Sequence, residues 1–507
     1  MIVAVEADLE LLLSPATLSL LTRIKERIAS HNIRVYIVGG FLRDLVLTRD
    51  TADVDIALEA DALDIAPRVA THLGGKFVPL DKVNKVGRVI LPEPEVHSGI
   101  GQWQIDFSTI EDDIEQDLGR RDFTIDAMAI HLDSIIRGVA VTEIIDPFKG
   151  LKDIQQRVVR ATGDTVFRVD AARLLRAVRL AAELGFSIGQ ETEALIRRDC
   201  HLITAVAGER VREELLRLLA TTGTGQLLIY MDDLGLIGAL IPELNETKGV
   251  EQPREHQWDV FNHSVKTVDA VDFVLKRGSW QYTGKEVLGY IPWSEELAKH
   301  FELKVSGGSN LRVLLKLAAL LHDIAKPQTK MVNAKGRTRF HGHPRQGAPI
   351  AASILERLRF STKEVRLVEA IVRHHLRPVQ ISHDELPTQR AIYRYFRDTG
   401  DAAIDILFFS LADHLATRGP DLDMTNWQEH TSIVDYILTQ RSRQESVVAP
   451  PKLISGHDLI NNLNLSPGPE IGNLLEAIRE AQACQEVTTK DEALSYASRL
   501  LSIKEGN

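Results

Sequence analysis

The sequence predicts an α+β protein: a head built on a mixed sheet with helices, followed by an all-α neck and body and a further all-α domain. Three observations predict it. Short runs of strand length (Arg34–Val38, Thr51–Leu58, Lys76–Leu80, Val86–Leu91 and Gln102–Ser108) are confined to the first part of the chain and interleaved with helical spacing. From about Gly150 onward apolar residues recur at helical spacing. From His256 the composition shifts and histidines cluster among the helical stretches.

The 507 residues fit about three or four domains. A composition 44% hydrophobic and 26% charged is that of an ordinary globular protein. Cys200 and Cys484 are too few for a disulfide framework and suit a reducing cytoplasm, the expected location. No apolar run has the length of a membrane helix, and the start Met1 to Asp8 carries neither a basic region nor a cleavage signal. A net charge of −11 argues against a surface coated for nucleic acid. It leaves room for a local basic face, and arginine is concentrated between Arg157 and Arg217.

In order, Leu18, Leu21, Ile24 and Ile28 mark a first helix, Leu18–Ser30, leading into the first strand. Gly39-Gly40 follows the strand and lets the backbone approach an anion with its N–H groups free to donate. A short helix, Phe41–Leu47, carries Arg43 and Asp44. Asp53 and Asp55 are two apart on the next strand and so share a side, with Val54 and Ile56 buried behind them. Two carboxylates held together are costly without a cation, and hard oxygen ligands of this kind suit Mg²⁺ carrying substrate phosphates. The bland alternative is a strand–turn–strand with solvated acids. A helix over Ala62–Leu73 ends at Gly74-Gly75, and strands over Lys76–Leu80 and Val86–Leu91 follow. Asp106, on the strand Gln102–Ser108, offers a third acid to share a cation and help deprotonate an attacking hydroxyl.

Gly39-Gly40-x-x-Arg43-Asp44 with Asp53-x-Asp55 resembles the signature of the nucleotidyltransferase superfamily with a DNA-polymerase-β-like palm. More narrowly it resembles the bacterial class II tRNA nucleotidyltransferase and poly(A) polymerase family. Arg120-Arg121-Asp122-Phe-Thr-Ile-Asp126-Ala-Met-Ala is similar to that family's R-R-D-F-T-I-N-A-x-A motif, with Asp126 where Asn is usual. The resemblance implies that Asp53, Asp55 and Asp106 are catalytic, with Asp53 and Asp55 holding Mg²⁺. Gly39, Gly40, Arg43, Asp44, Arg121 and Asp122 would bind the nucleotide. Arginines 173, 176 and 179 fall on one helical stripe with Asp170 a turn earlier. In the family the equivalents of Asp170 and Arg173 read the Watson–Crick edge of the incoming base, and those of Arg176 and Arg179 hold phosphates. Val169 replaces the family's usual Glu. The family also continues from the third acid with an arginine and a flexible loop that takes part in switching from C to A addition; here neither follows Asp106.

The second half resembles the HD domain, a helical metal-dependent phosphohydrolase fold. Its set H…HD…D matches His263, His322, Asp323 and Asp413, with His343 and His374 (or His375) placed for a second metal. Imidazole with carboxylate suits Mn, Ni, Co, Fe or Zn better than Mg. Residues 276–310 form an insertion with no assigned role. Pro450-Pro451 marks the last boundary, and Gly468-Pro469 opens a helix that could seat tRNA. The expected domains are 1–145 (head), 146–250 (neck), 251–445 (HD) and 446–507 (C-terminal element).

The function implied is template-independent addition of C and/or A from CTP and ATP to the tRNA 3′ end, with release of pyrophosphate. CC-only, A-only and poly(A) addition stay open. So does a reading of another class, an HD phosphohydrolase whose head only binds. The expected partners are tRNA, ATP and CTP, with no membrane and no obligate protein partner.

Overall fold

Six strands of the head form one mixed sheet, in the order β3-β4-β5-β2-β1-β6. They are β1 (Val35–Val38), β2 (Asp53–Leu58), β3 (Lys76–Asp81), β4 (Val86–Ile90), β5 (Gln104–Thr109) and β6 (Ala129–His131). The computed structural model describes residues 13–28, 33–92, 102–138, 141–381, 386–443 and 452–505. The chain start, the expected helix end at Ser30 and the Pro450-Pro451 boundary lie outside the described residues. Every strand the sequence suggests forms, with ends moved by at most two residues.

β2 and β5 run parallel in the centre, and the other neighbouring pairs are antiparallel. Ile37, Ile56 and Ile105 alternate inward and are no more than 1% exposed, each removing about 2 kcal/mol worth of apolar surface from water. Helices α1 (Pro15–Ile28) and α3 (Ala62–Leu73) cover that side. α3 starts on Asp61, whose side chain accepts from Leu63 N, and stops at Gly74 with φ +71°. The opposite alternation sends Asp53, Asp55 and Asp106 out of this core. Between β1 and β2 sits α2 (Gly39–Val46), which begins directly on the diglycine.

The chain divides into two compact units, Met1–Val206 with Leu234–Leu236, and Ala207–Asp233 with Ile237–Asn507. That division falls inside the stretch expected to be a separate neck. In the second unit, helices Val260–Val274, Leu311–Leu321, His343–Arg357, Thr362–His374 and Ala403–Arg418 pack on one another. The insertion 276–310 is part of this core rather than an appendage. Trp427 is fully buried and donates Nε1–H to Val287 O at 3.1 Å, and Trp293 packs against Phe301 and Phe408. Three C-terminal helices, Gly456–Leu463, Pro469–Ala483 and Lys490–Glu505, share a core of Leu459, Leu474, Ile478 and Ala497. Gly468-Pro469 does open a helix, but the arginines facing it are engaged: Arg390 and Arg394 pair with Glu480 and Arg397 with Glu476. No helix among the described residues is long and apolar enough to cross a membrane.

Candidate active site and metal centre

The head site grows out of strand register. Asp55 on β2 lies opposite Asp106 on β5, and Asp53 lies opposite Gln104. Because alternate residues share a side, all three acids project from the same face of the sheet. Asp53 is exposed, while Asp55 and Asp106 are partly buried. Burial pushes the Asp55 carboxyl up to about 6, against the pull of Arg121 and with Asp106 adding to the rise. A hard, acid-only donor set in which two carboxylates repel fits a divalent cation.

The diglycine closes this face. Gly39 has φ +69°, and a Cβ there would lie 2.8 Å from Asp55 Oδ2 and 2.9 Å from Arg121 Nη1. Only glycine permits both the turn and the approach. Phe41 N–H, in the first turn of α2, donates to Asp55 Oδ2 at 3.4 Å. Asp55, Arg121 and the start of α2 are thus one cluster.

Other candidates are placed differently from the sequence reading. Arg43 is turned inward and fully engaged: Nε and Nη2 donate to Asp44 at 3.0 Å each, and Nη1 to Asp126 Oδ1 at 2.6 Å. It clamps α2 from beside the acids: the charge of Asp55 also acts on it, and a Cβ at Gly40 would meet Arg43 Nη2 at 3.4 Å and Asp55 Oδ2 at 3.7 Å. Asp170 is not on the arginine helix. It sits in the extended break (φ −151°) after Val166–Val169, and the next helix starts at Arg173. The pair still meets, Arg173 Nε lying 4.0 Å from Asp170 Oδ2, and Arg173 also donates to Arg120 O. Arg176 Nε lies 2.8 Å from Asp122 Oδ2. Arg179 is buried and paired with Glu183 at 2.6 Å, so the stripe splits. Each step of three residues falls about 60° short of a full turn, so the third arginine, six residues on, lies about 120° round from the first.

Sequence reasoning missed two head residues. Asp126, 2% exposed, joins Arg43 to Arg176, whose Nη2 lies 3.8 Å from Asp126 Oδ2. Arg88 on β4 grips Asp106. Asp126 had a visible signal, an acid at a position where Asn is usual; Arg88 had none.

The second centre is buried and built from nitrogen and oxygen. His263, His322 and Asp323 form one group of potential ligands, and Asp323, His343 and His375 another. Asp413 joins the first through His263 Nε2 at 2.9 Å and His322 Nε2 at 3.7 Å. His322 Nδ1 faces Ala319 O, His343 Nδ1 faces Phe340 O, and His375 Nδ1 faces Val372 O, at 2.8 to 2.9 Å. A carbonyl only accepts, so each Nδ1 carries the proton and each Nε2 presents a lone pair inward. His343 Nε2 and His375 Nε2 then face each other at 3.3 Å, with Asp323 Oδ1 3.2 Å from His343 Nε2, an arrangement that a bound cation would satisfy. His263 Nδ1 has no hydrogen-bond partner among the described residues. Burial lowers His375 to about 3, which keeps it a neutral donor. These residues fit a divalent metal.

His374 does not join them. It is half-buried with Asp398 and Arg377 for neighbours, and His375, one residue on and about 100° round the helix, takes the position. A cavity of about 310 Å³ opens on the centre, lined also by His256, Lys326, Arg339 and Phe340. Lys326 Nζ bonds Asp323 Oδ2 at 2.6 Å and Gln252 Oε1 at 2.5 Å.

Comparisons with known proteins agree with both halves. Residues 35–160 match the family model described as Poly A polymerase head domain, and residues 293–418 match that of the HD domain. Residues 185–248 match "Probable RNA and SrmB-binding site of polymerase A". The chain is 31% identical to the A-adding tRNA nucleotidyltransferase of Deinococcus radiodurans, over 91% of this chain and 94% of the relative. It is 32% identical to the CC-adding tRNA nucleotidyltransferase of Thermus thermophilus, over 90% of this chain and 92% of that one. Among solved structures, the Thermotoga maritima CCA-adding enzyme complexed with tRNA shares the fold at a TM-score of 0.56 and 20% identity, over 96% of each chain. A CCA-adding enzyme with CTP does so at 0.60 and 20%, again over 96% of each chain. With this fold, these acids and relatives of that identity along nine-tenths of its length, the chain belongs to the tRNA nucleotidyltransferase family.

Proposed function

We propose that this enzyme is a CC-adding tRNA nucleotidyltransferase of the cytoplasm, transferring two successive cytidylyl groups from CTP to the tRNA 3′ end. The observation that carries this reading is the connection after the third acid: β5 ends at Thr109 and the next helix starts at Ile114, leaving only residues 110–113 between them. In the family that the motifs resemble, the loop at this place takes part in the change from C to A. Four residues are too short to form such a loop.

In each round the terminal tRNA 3′-oxygen bonds to the α-phosphorus of CTP, the α–β phosphoanhydride bond breaks, and pyrophosphate leaves. The released proton passes to Asp106. Asp53 and Asp55 would hold Mg²⁺, which when bound neutralises the triphosphate and lowers the charge barrier to attack. Backbone N–H groups at the start of α2 and the guanidiniums of Arg121 and Arg176 would hold phosphate and sugar. Asp170 and Arg173 would read the base edge: a carboxylate accepts from the cytosine amine, and a guanidinium donates to its ring nitrogen and carbonyl. Arg43 and Asp44 would position α2 and not touch the ligand.

The test is single-nucleotide extension. A tRNA lacking its CCA end should gain two residues with CTP alone, and a tRNA ending in CC should gain none with ATP. Incorporation of A on the second tRNA overturns the CC reading in favour of the A-adding one, which the Deinococcus relative represents.

The paired histidine lone pairs favour a second activity beside the first, hydrolysis of a phosphate ester at the HD centre with Mn, Ni, Co, Fe or Zn. His322→Ala should remove phosphatase activity and leave nucleotide addition; loss of neither would refute it.

A further inference from the structure

No motif marks Arg88, yet its guanidinium sits inside the acidic cluster of the head. β4 runs antiparallel to β5 with Arg88 opposite Asp106, and Asp106 lies opposite Asp55 on the far side. The three side chains form one row across three strands. Arg88 takes Asp106 as a fork, Nε to Oδ1 at 2.7 Å and Nη2 to Oδ2 at 2.8 Å, while Nη1 donates to Gln104 Oε1 at 2.9 Å. Two parallel charge-assisted bonds fix both the position and the plane of the carboxylate, which a lysine could not do. Asp106 does most to hold the guanidinium charged, and Asp53 and Asp55 add to it. Along the sequence no other arginine follows Asp106 until Arg120.

Three carboxylates on one face repel each other, and the protein itself supplies positive charge to that face, Arg121 beside Asp55 and Arg88 beside Asp106. A cation approaching Asp106 meets two oxygens that each already accept one N–H. We propose that Arg88 is a positioning residue and a built-in counter-cation of this cluster: it fixes the plane of the Asp106 carboxylate and raises the concentration of free divalent cation needed to load the head. The proposal rests on the reading of Asp55 and Asp106 as metal-binding acids. Its consequence is that the cation enters with the nucleotide. An ion already held by a triphosphate brings most of its oxygen ligands with it and needs little from Asp106, whereas a bare ion must compete with the fork.

The test uses the full chain as wild type, Arg88→Gln, Arg88→Lys and Asp55→Asn. Mg²⁺ is titrated without nucleotide, followed by thermal shift, and CTP addition is measured at saturating Mg²⁺. Arg88→Gln should lower the half-saturating Mg²⁺ about threefold or more, while kcat falls about tenfold and KM for CTP stays within about twofold. Arg88→Lys keeps the charge and loses the fork, so its Mg²⁺ half-saturation should stay near wild type while kcat still falls. An arginine that only stabilised the sheet would lower Tm in both variants and leave the Mg²⁺ midpoint unmoved, and that result overturns the proposal. If Asp55→Asn titrates like wild type, the acidic reading beneath it falls instead.

Discussion

The two candidate metal centres of this chain are built on opposite plans. The head presents three carboxylates on one open sheet face, with Asp53 exposed and burial holding Asp55 up at about 6. The HD centre sits among helices, with His263, His322 and Asp323 each 1% exposed and three imidazoles fixed by backbone carbonyls. The open face suits an ion that comes and goes with its substrate, because Mg²⁺ gives up water reluctantly and binds few protein ligands. The buried set suits a resident ion, because its donors are oriented before any metal arrives.

The sharpest way to break that contrast is in the head. Asp53→Ala should cut nucleotide addition by about a thousandfold or more, a loss of about 4 kcal/mol in transition-state stabilisation. Its Tm and the metal content of the HD centre should not change. Retained addition would remove the acids from the reaction.

His375→Ala should act in the other half. Metal bound per chain, measured by plasma emission after dialysis, should fall by about one equivalent, with at most about a twofold change in nucleotide addition, since the two sites share no residue and independent sites do not couple. If addition collapses as well, the two centres are not independent.

pH separates them further. Asp55 is raised in the folded state, so its charged form is disfavoured by folding. Its favourable contribution is full below about 4 and lost as pH rises through about 6. Mg²⁺ binds the carboxylate, so the Tm gain on adding Mg²⁺ should be small at pH 5 and complete above pH 7. A gain of equal size at both values would contradict the placement of the ion on Asp55. The smallest effect should come from His374→Ala, which should leave HD metal content unchanged. Loss of metal there would restore His374 as a ligand.

Legibility in the sequence followed the range of the interaction. The diglycine, Asp53, Asp55 and the HD dipeptide were readable because their geometry is set by neighbours one or two residues away. Arg88 was not, because its partner Asp106 is 18 residues on and only the antiparallel register joins them. The choice between His374 and His375 turned on a single helical step at the end of Thr362–His374. The pairing of Arg43 with Asp126 was equally hidden, because 83 residues separate the two.

The sequence by itself determined the kinds of chemistry present: carboxylates in strand alternation, glycines where an anion approaches, imidazoles at the ends of apolar helices. Local spacing is enough for that, since dihedral periodicity decides which side chains share a face. Only the tertiary structure decided which charges neutralise one another. Pairings such as Arg88 with Asp106 and Arg43 with Asp126 join residues remote in sequence. Their strength depends on distance and burial, and those exist only once the sheet register and the helix packing are set.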